Sequence, residues 1–574
     1  MLVAAGWWID RQGASAQTSV TRFALHNVGI SIDAFQGLAL SPDGRRLVYR
    51  AIGEDGRERL YVRSFDSLEV NPLPGSELGW LPFFSPDGER VGFFSQGGLK
   101  AVMLASGIAR TIATVDRGGF SGATWLPDDS VIFANSSKQL GRVHASGGEV
   151  EYLEVLGLRE SDFVVAPSAL PGGDALLCGV SNGSTFDVAV FDLADRTLTV
   201  IAENGFTPTY SASGHVLYQQ GQNGPLMAMP FDPKQRAATG AAFPVISDLG
   251  TRVSYQVRMF TIANDGTLAY IPNSTLLDKG ALAWVDRQGS SSQIVEVDKM
   301  IDMPRISHDG RRVAFRAPAP NCDIWVHDLE RGVTTRLTRE GDNHGIAWSP
   351  DDKRLAFARL EVPFQWGVRS TAVDGAGNVD VLSPPTIPRG FVSSFSSDGD
   401  FILVGAGLDT GGDVYLVTTK DQSVKPLLNS RFMERAAVFS PDGRYLAYVG
   451  DESGREEVYV QPFPALDARE QISTDGGAEP VWSRDGKELF FKSDRKMMVV
   501  DVVATSTFSA GRPRQLLETE LSARGSSGLA SYDVSPDGQR FVMVRERTGV
   551  EGAQLNVVLG WFKELGNMAP KGTR

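Results

Sequence analysis

Ser41-Pro42-Asp43-Gly44 is the first of a series of tetrapeptides that punctuate the whole 574-residue chain. It returns as Ser85-Pro86-Asp87-Gly88, Ser440-Pro441-Asp442-Gly443 and Ser535-Pro536-Asp537-Gly538. Close variants are Leu126-Pro127-Asp128-Asp129, Ser307-His308-Asp309-Gly310, Ser349-Pro350-Asp351-Asp352, Ser397-Asp398-Gly399 and Ser483-Arg484-Asp485-Gly486. Leu170-Pro171-Gly172-Gly173, Ser211-Ala212-Ser213-Gly214 and Asn264-Asp265-Gly266 are weaker echoes. In the full Ser-Pro-Asp-Gly form, proline presets φ, aspartate bonds back to the backbone and glycine takes a positive φ, which is the chemistry of a hairpin turn.

Short apolar runs flank every turn. Around the first they are residues 38–40, 47–49, 60–65 and 70–73, rich in Leu, Val, Tyr and Phe. Four short strands in antiparallel order are predicted per unit. Four strands every 40 to 45 residues is the pattern of a propeller blade, whose two apolar faces are covered by neighbouring blades. The turns at 41, 85, 126, 170, 211 and 263 are mirrored at 307, 349, 396, 440, 483 and 535, offset by 264 to 272 residues. The fifth-to-sixth spacing stretches to 52 in both halves, with similar extensions after residues 226–229 and 497–500. The expectation is an all-β protein of two tandem six-bladed β-propellers built from four-stranded antiparallel blades, residues 38–300 and 301–565, with a tail at 566–574. Residues 293–297 are expected to finish the sixth blade. The twelfth unit runs out of strands, since residues 555–565 do not read as an outer strand. Residues 20–37 hold an orphan strand that is expected to close the last blade, because backbone groups at a strand edge need partners.

Composition narrows the partners. The chain is 42% hydrophobic and 22% charged, with net charge −13 and a pI near 5.1. It has no basic run or basic repeat face, so nucleic acid is not an expected partner. Cys178 and Cys322 are far apart in sequence and read as buried or idle thiols, forming neither a zinc site nor a disulfide scaffold. Met1 to Ile9 is apolar and ends in Trp7 and Trp8. Nine residues are too few to span a bilayer, and the stretch reads as the end of a truncated membrane helix followed by a polar linker to residue 19.

The pattern [FW]-S-P-D-G-[RK]-x-[LVI]-[AVG]-[FY], as in Phe439 to Tyr448, resembles the PD40 (WD40-like) repeat of the TolB C-terminal propeller, across about residues 38–560. Residues 60–75, 282–289 and 556–565 resemble the extracytoplasmic sensor half of bacterial eukaryotic-like serine/threonine protein kinases. The resemblance implies a non-catalytic sensor or protein-interaction module, periplasmic or otherwise extracytoplasmic, that binds a protein or peptide and meets the membrane only through the truncated N-terminal helix. The Gly-rich ATP loop, Val-Ala-Ile-Lys, His-Arg-Asp loop and Asp-Phe-Gly of kinases are absent from this sequence. The alternative is an accessory propeller that gates substrate for a prolyl-oligopeptidase-like hydrolase.

Candidate chemistry is sparse. Gly179 to Gly183 matches the nucleophile elbow G-x-S-x-G around Ser181, but the flanking runs place it on a strand-to-strand hairpin and not on the strand-to-helix turn an elbow needs. His26, His144, His215, His308, His327 and His344 are scattered and read as turn or surface residues. Asp374 to Asp380 lacks the alternating acids of a calcium loop and reads as a third-to-fourth strand turn. Trp125, Trp348, Trp482, Phe84 and Phe439 are expected to pack between blades. No catalytic, binding or metal residue and no cofactor is assigned from the sequence.

Overall fold

The computed structural model describes residues 20–568 apart from 26–36, 54–57, 78, 96–97, 115–119, 136–138, 160–161, 182–184, 222–223, 251–257, 274–279, 298–300, 318–321, 363–364, 376–378, 389, 407–411, 505–507, 519–528 and 546–553. The reading of Met1 to Ile9 therefore lies outside the described residues. No helix among the described residues is long and apolar enough to cross a membrane.

The described residues are all-β apart from the helix Trp561–Met568. The described residues form eleven sheets. The largest joins two four-stranded sets through one parallel pairing, Gly345 with Val392, so the sheets resolve into twelve antiparallel four-stranded sets of propeller-blade type. Three of them carry an extra short strand: 387–388 on 365–372, and, at the two places where the repeat spacing stretches, 243–246 on 226–232 and 514–518 on 496–504.

The turn chemistry explains why the hairpins recur. In Ser-x-Asp-Gly turns the serine Oγ donates to the aspartate Oδ1 at 2.5–2.7 Å. That carboxylate accepts the N–H two residues on, and the serine Oγ accepts the N–H five residues on. Gly44, Gly88, Gly443 and Gly538 have φ near 70°. At the variants Asp129 and Asp352 an aspartate takes the positive φ instead. Its carboxylate then reaches the preceding sheet: Asp352 accepts the backbone N–H groups of His308 and Asp309, and Asp129 accepts two bonds from Arg90.

The serine hydroxyl holds the carboxyls of Asp43, Asp87, Asp351, Asp398, Asp485 and Asp537 below the usual carboxylate range. A folded-state pKa below the unfolded one means that the unfolded chain takes up protons first as the pH drops past 3.8. The stability these groups lend above that pH is lost as the pH falls through their folded values. The Tm should therefore fall between pH 5 and 2. A Ser41→Ala, Ser85→Ala, Ser349→Ala triple variant should show a lower Tm at pH 7, each change costing about 1 kcal/mol, and a shallower acid slope. An unchanged slope would show that the hydroxyls do not hold the carboxylates.

Two sheets are assembled from distant segments, and here the sequence expectation is corrected. The sixth sheet runs Phe260–Ile262, Leu268–Tyr270, Leu555–Leu559, Thr21–Leu25. The twelfth runs Tyr532–Val534, Arg540–Arg545, Gly280–Asp286, Ser291–Val297. The N-terminal strand thus closes the sixth sheet, not the last, and residues 555–559 supply its third strand. Residues 280–297 belong with the second half, so pairing crosses the expected boundary at 300. The reason is local: Gly280–Asp286 and Leu555–Leu559 are both short apolar runs, and either half could receive either one by pattern alone.

Inner strands pack on one another in chain order. Leu38–Leu40 lies against both Trp80–Phe84 and Phe260–Ile262, and Asp302–Ile306 lies against both Asp342–Trp348 and Tyr532–Val534. Four residues before the turn position, the inner strand kinks through a positive φ at Gly37, Leu81, Gly122, Ala166, Thr207, Met303, Gly345, Ala436 and Glu479. Most of these are not glycine, so the conformation is imposed by its surroundings. Kinks of neighbouring sheets abut: a Cβ on Gly122 would lie 3.0 Å from the Ala166 Cα.

Candidate functional site

The kink separates the turn end of each inner strand from its starting end, and the functional groups gather at the starting end. The residue five before each turn position sits at one level. In the second half that level holds Asp302, His344, Phe391, Arg435 and Ala478. His344 and Phe391, from adjacent sheets, are in edge contact at 5.1 Å.

Arg316 organises this region. Its Nε donates to Asp302 Oδ1 at 2.8 Å, its Nη2 pairs with the other oxygen, and its Nη1 lies 2.8 Å from His344 Nδ1. His344 Nε2 lies 2.8 Å from Asp342 Oδ1. Guanidinium only donates, so Nδ1 accepts and Nε2 carries the proton given to Asp342. Burial pushes the His344 imidazole down, which keeps it neutral as this arrangement requires. Burial works against the Asp342 carboxylate, but His344, Cys322 and Arg316 hold it below the usual range. Burial pushes the Cys322 thiol up, so it stays protonated.

Cys322, Asp342 and His344 thus converge, with potential ligand atoms within 4.8 Å of one another. A metal on Nε2 would drive the imidazole proton to Nδ1, against the Arg316 N–H. The arrangement fits a hydrogen-bond chain better than a metal site. His344 is therefore neither a turn nor a surface residue, and Cys322 is a buried thiol, as expected, but one with a polar neighbour in Asp342. The sequence offered no signal for either, because Arg316 meets His344, and Cys322 meets Asp342, only across two units.

The same half closes its centre with apolar side chains. Met303, Phe391, Ala436, Val449, Ala478 and Leu529, drawn from several sheets, form one buried cluster. Beside it, Glu479 accepts from Ser531 N–H and Oγ at 2.8 and 2.7 Å, and Arg305 donates to the Ala530 carbonyl at 2.8 Å.

The first half differs. Its level five before the turn holds Trp80, Ser121, Val165, Phe206 and Arg258. Aromatic contacts run Trp80–Phe94–Phe120–Phe133 and Phe163–Phe186–Phe206, with centroids 4.2–6.4 Å apart. Trp80, Leu81, Phe120 and Phe206 remain partly exposed. The sequence reading passed over these residues; their fixed spacing before each turn is the signal that could have found them.

The remaining candidates fall as follows. Ser181 ends the strand Ala175–Ser181, which pairs with Phe186–Asp192, and its Oγ accepts the Phe163 N–H at 2.8 Å. This is a strand hairpin and gives the hydroxyl no base. Cys178 is enclosed in an apolar cluster. His144, His215 and His327 bond to nearby hydroxyls, and His308 Nδ1 lies 2.7 Å from Asp352. His327, in the strand Asp323–Asp328, is buried and so departs from a surface role. His26 lies outside the described residues. Val379–Val381 pairs with 369–371 as a fourth strand after the 374–380 turn, whose residues 376–378 lie outside the described residues. Trp125 lies under Arg90 of the preceding sheet at 4.5 Å, and Trp348 Nε1 donates to the Arg305 carbonyl at 3.0 Å. Phe84, Phe439 and Trp482 pack in clusters shared with the preceding sheets.

No protein-family profile matches the chain. Over 171 residues it is 27% identical to the Tol-Pal system protein TolB of Wolinella succinogenes, covering 28% of this chain and 39% of that protein. Over 85 residues it is 32% identical to the Tol-Pal system protein TolB of Helicobacter pylori, covering 15% of this chain and 20% of that one. The chain thus spans between a fifth and two fifths of the length of these curated relatives. Among solved structures, a putative TolB from Agrobacterium tumefaciens aligns with TM-score 0.39 and 15% identity, over 46% of this chain and 98% of that one. TolB from Acinetobacter baumannii aligns with TM-score 0.34 and 15% identity, over 61% and 78%. The repeat likeness and the four-stranded sheets together describe a TolB-like β-propeller fold.

Proposed function

We propose that this chain is a non-catalytic protein-interaction or sensor module made of two six-bladed propellers that exchange strands. The inner-strand contacts that run from each first sheet round to each sixth support this division. One unit comprises residues 37–270 with 21–25 and 555–568; the other comprises 280–545. The resemblance of residues 60–75, 282–289 and 556–565 to the extracytoplasmic part of serine/threonine kinase-type receptors supports a placement outside the cytoplasmic membrane. The partner is a protein or peptide, since an acidic chain of net charge −13 repels nucleic acid.

The observation that carries the reading is the contrast between the two centres. The second half fills its own with the Met303–Leu529 cluster, whereas the first half presents partly exposed Trp80, Phe120 and Phe206 at the starting end of its inner strands. Exposed aromatic anchors of this kind dominate binding energy at protein interfaces. A photo-crosslinking residue at position 80 or 206 of the intact protein, in its native cell, should trap a protein partner. One at Glu89, beside a turn at the opposite end of the sheet, should not. Trapping only from Glu89 would place the interface on the turn face and overturn the reading.

A further inference from the structure

Arg258 is the feature of the first half that internal structure leaves unexplained. Its Nη2 donates to the Pro208 carbonyl at 3.1 Å, and its Nε is enclosed yet has no hydrogen-bond partner. No carboxylate among the described residues pairs with it, and burial alone pushes its pKa down to about 10. Three second-half arginines are matched by carboxylates, whereas Arg359 there meets the Asn343 amide oxygen instead. Arg316 is paired with Asp302, Arg369 with Glu361 and Arg435 with Glu456. A guanidinium with an enclosed, unbonded Nε and no counter-charge among the described residues is unfavourable for the folded protein taken alone.

A second unsatisfied donor lies at the same level. Ser121, like Arg258 five residues before its turn position, has a buried Oγ with no partner. The sheets of Ser121 and Arg258 are three apart in chain order, so the two donors approach the centre from different sides. Between them in sequence, at the same level, stand Val165 and the partly exposed Phe206.

We propose that Arg258 recognises a carboxylate carried by the protein partner, with apolar side chains of the same partner segment seated on the neighbouring aromatic residues. The inference rests on the binding reading above and names the chemistry of its ligand. A guanidinium fork matches a carboxylate in two parallel hydrogen bonds. One cation among aromatic rings suits a single acid in an otherwise apolar segment. A polyanion needs several cations, and the net charge of −13 opposes one.

The test uses the full chain and a phage-displayed library of random decapeptides. The expected result is enrichment of peptides that combine aromatic or aliphatic residues with one Asp, Glu or free C-terminal carboxylate. Affinity for the best peptide should fall at least about tenfold on Arg258→Gln, as for loss of a charged hydrogen-bonded partner, and by a similar factor when the peptide's acid is neutralised. Arg258→Lys should restore part of it. Enriched peptides that lack an acid, or that bind Arg258→Gln equally well, would overturn the role of Arg258 while leaving the interaction reading standing. No enrichment of any peptide would overturn both. A ligand-free readout is independent of the library. Arg258→Gln should leave the Tm unchanged or raise it, because it removes an unneutralised cation. A clear fall in Tm would make Arg258 a structural residue and overturn the proposal.

Discussion

Removing residues 554–574 should unfold the first half of the chain and leave the second half folded. The deleted segment contains Leu555, Val557, Val558, Trp561 and Leu565, all buried in the cluster that also holds Leu38, Tyr49, Phe260 and Leu268. Each such side chain contributes about 1.5–3 kcal/mol by its burial. Together they rival the whole stability of an ordinary domain, about 5–15 kcal/mol. The deletion also strips Leu268–Tyr270 of its partner strand and leaves Thr21–Leu25 nothing to pair with. The twelfth sheet keeps all four of its strands, because its outer pair comes from 280–297. Hydrogen exchange gives the readout. Amides of 38–40 and 260–270 should lose protection in the truncated protein, while those of 302–306 and 540–545 keep theirs. Loss of protection in the second half first would mean that the strands are not exchanged.

Arg316→Met should cost the second half about 3–5 kcal/mol, the range for leaving one member of a buried ion pair without its partner. Three groups would be stranded. Asp302 would lose both its bonds, His344 Nδ1 would lose its donor, and Asp342 would be left with an imidazole free to turn. The double variant Asp302→Leu, Arg316→Met should recover most of the loss, since two apolar groups make no unmet demand. Urea unfolding followed by a probe in the second half measures both. A loss under about 1 kcal/mol for the single variant would show that solvent reaches the pair, as at an exposed surface bridge.

The turns were legible because their chemistry is local. Serine, aspartate and glycine within four residues specify the hydrogen bonds and the positive φ without help from elsewhere, and they are found where the sequence placed them. The Trp and Phe residues before the turns were legible for a related reason, since a large apolar group at a fixed place in every unit must meet the neighbouring unit. Strand exchange was not legible. The run at 291–297 satisfies the pattern of a fourth strand in either half, and only the three-dimensional path decides which half receives it. The kink four residues before each turn was hidden because Leu81, Ala166, Met303 and Glu479 carry no mark of a positive φ. His344 was missed for a third reason: Arg316, which fixes its tautomer, belongs to the preceding repeat together with Asp302. Arg258 was missed because a single arginine in an apolar run is unremarkable until its surroundings show that no acid comes to meet it.

The exchange of strands has a consequence for biosynthesis. Tyr270 waits for Asn556, and Thr21 waits for Leu559, so the first set of sheets cannot finish as it leaves the ribosome. Five of its sheets are complete while the sixth stands open, its edge unpaired, for the whole time the second set is being made. Domains usually fold as they emerge, N-terminal first, and unpaired edges are where aggregation begins. Here the order is inverted. The second set of sheets can be complete once residue 545 is out, and the first closes only when residues 555–559 follow. A chain stalled or clipped between residues 545 and 555 would therefore yield an intact second half attached to an open and adhesive first half.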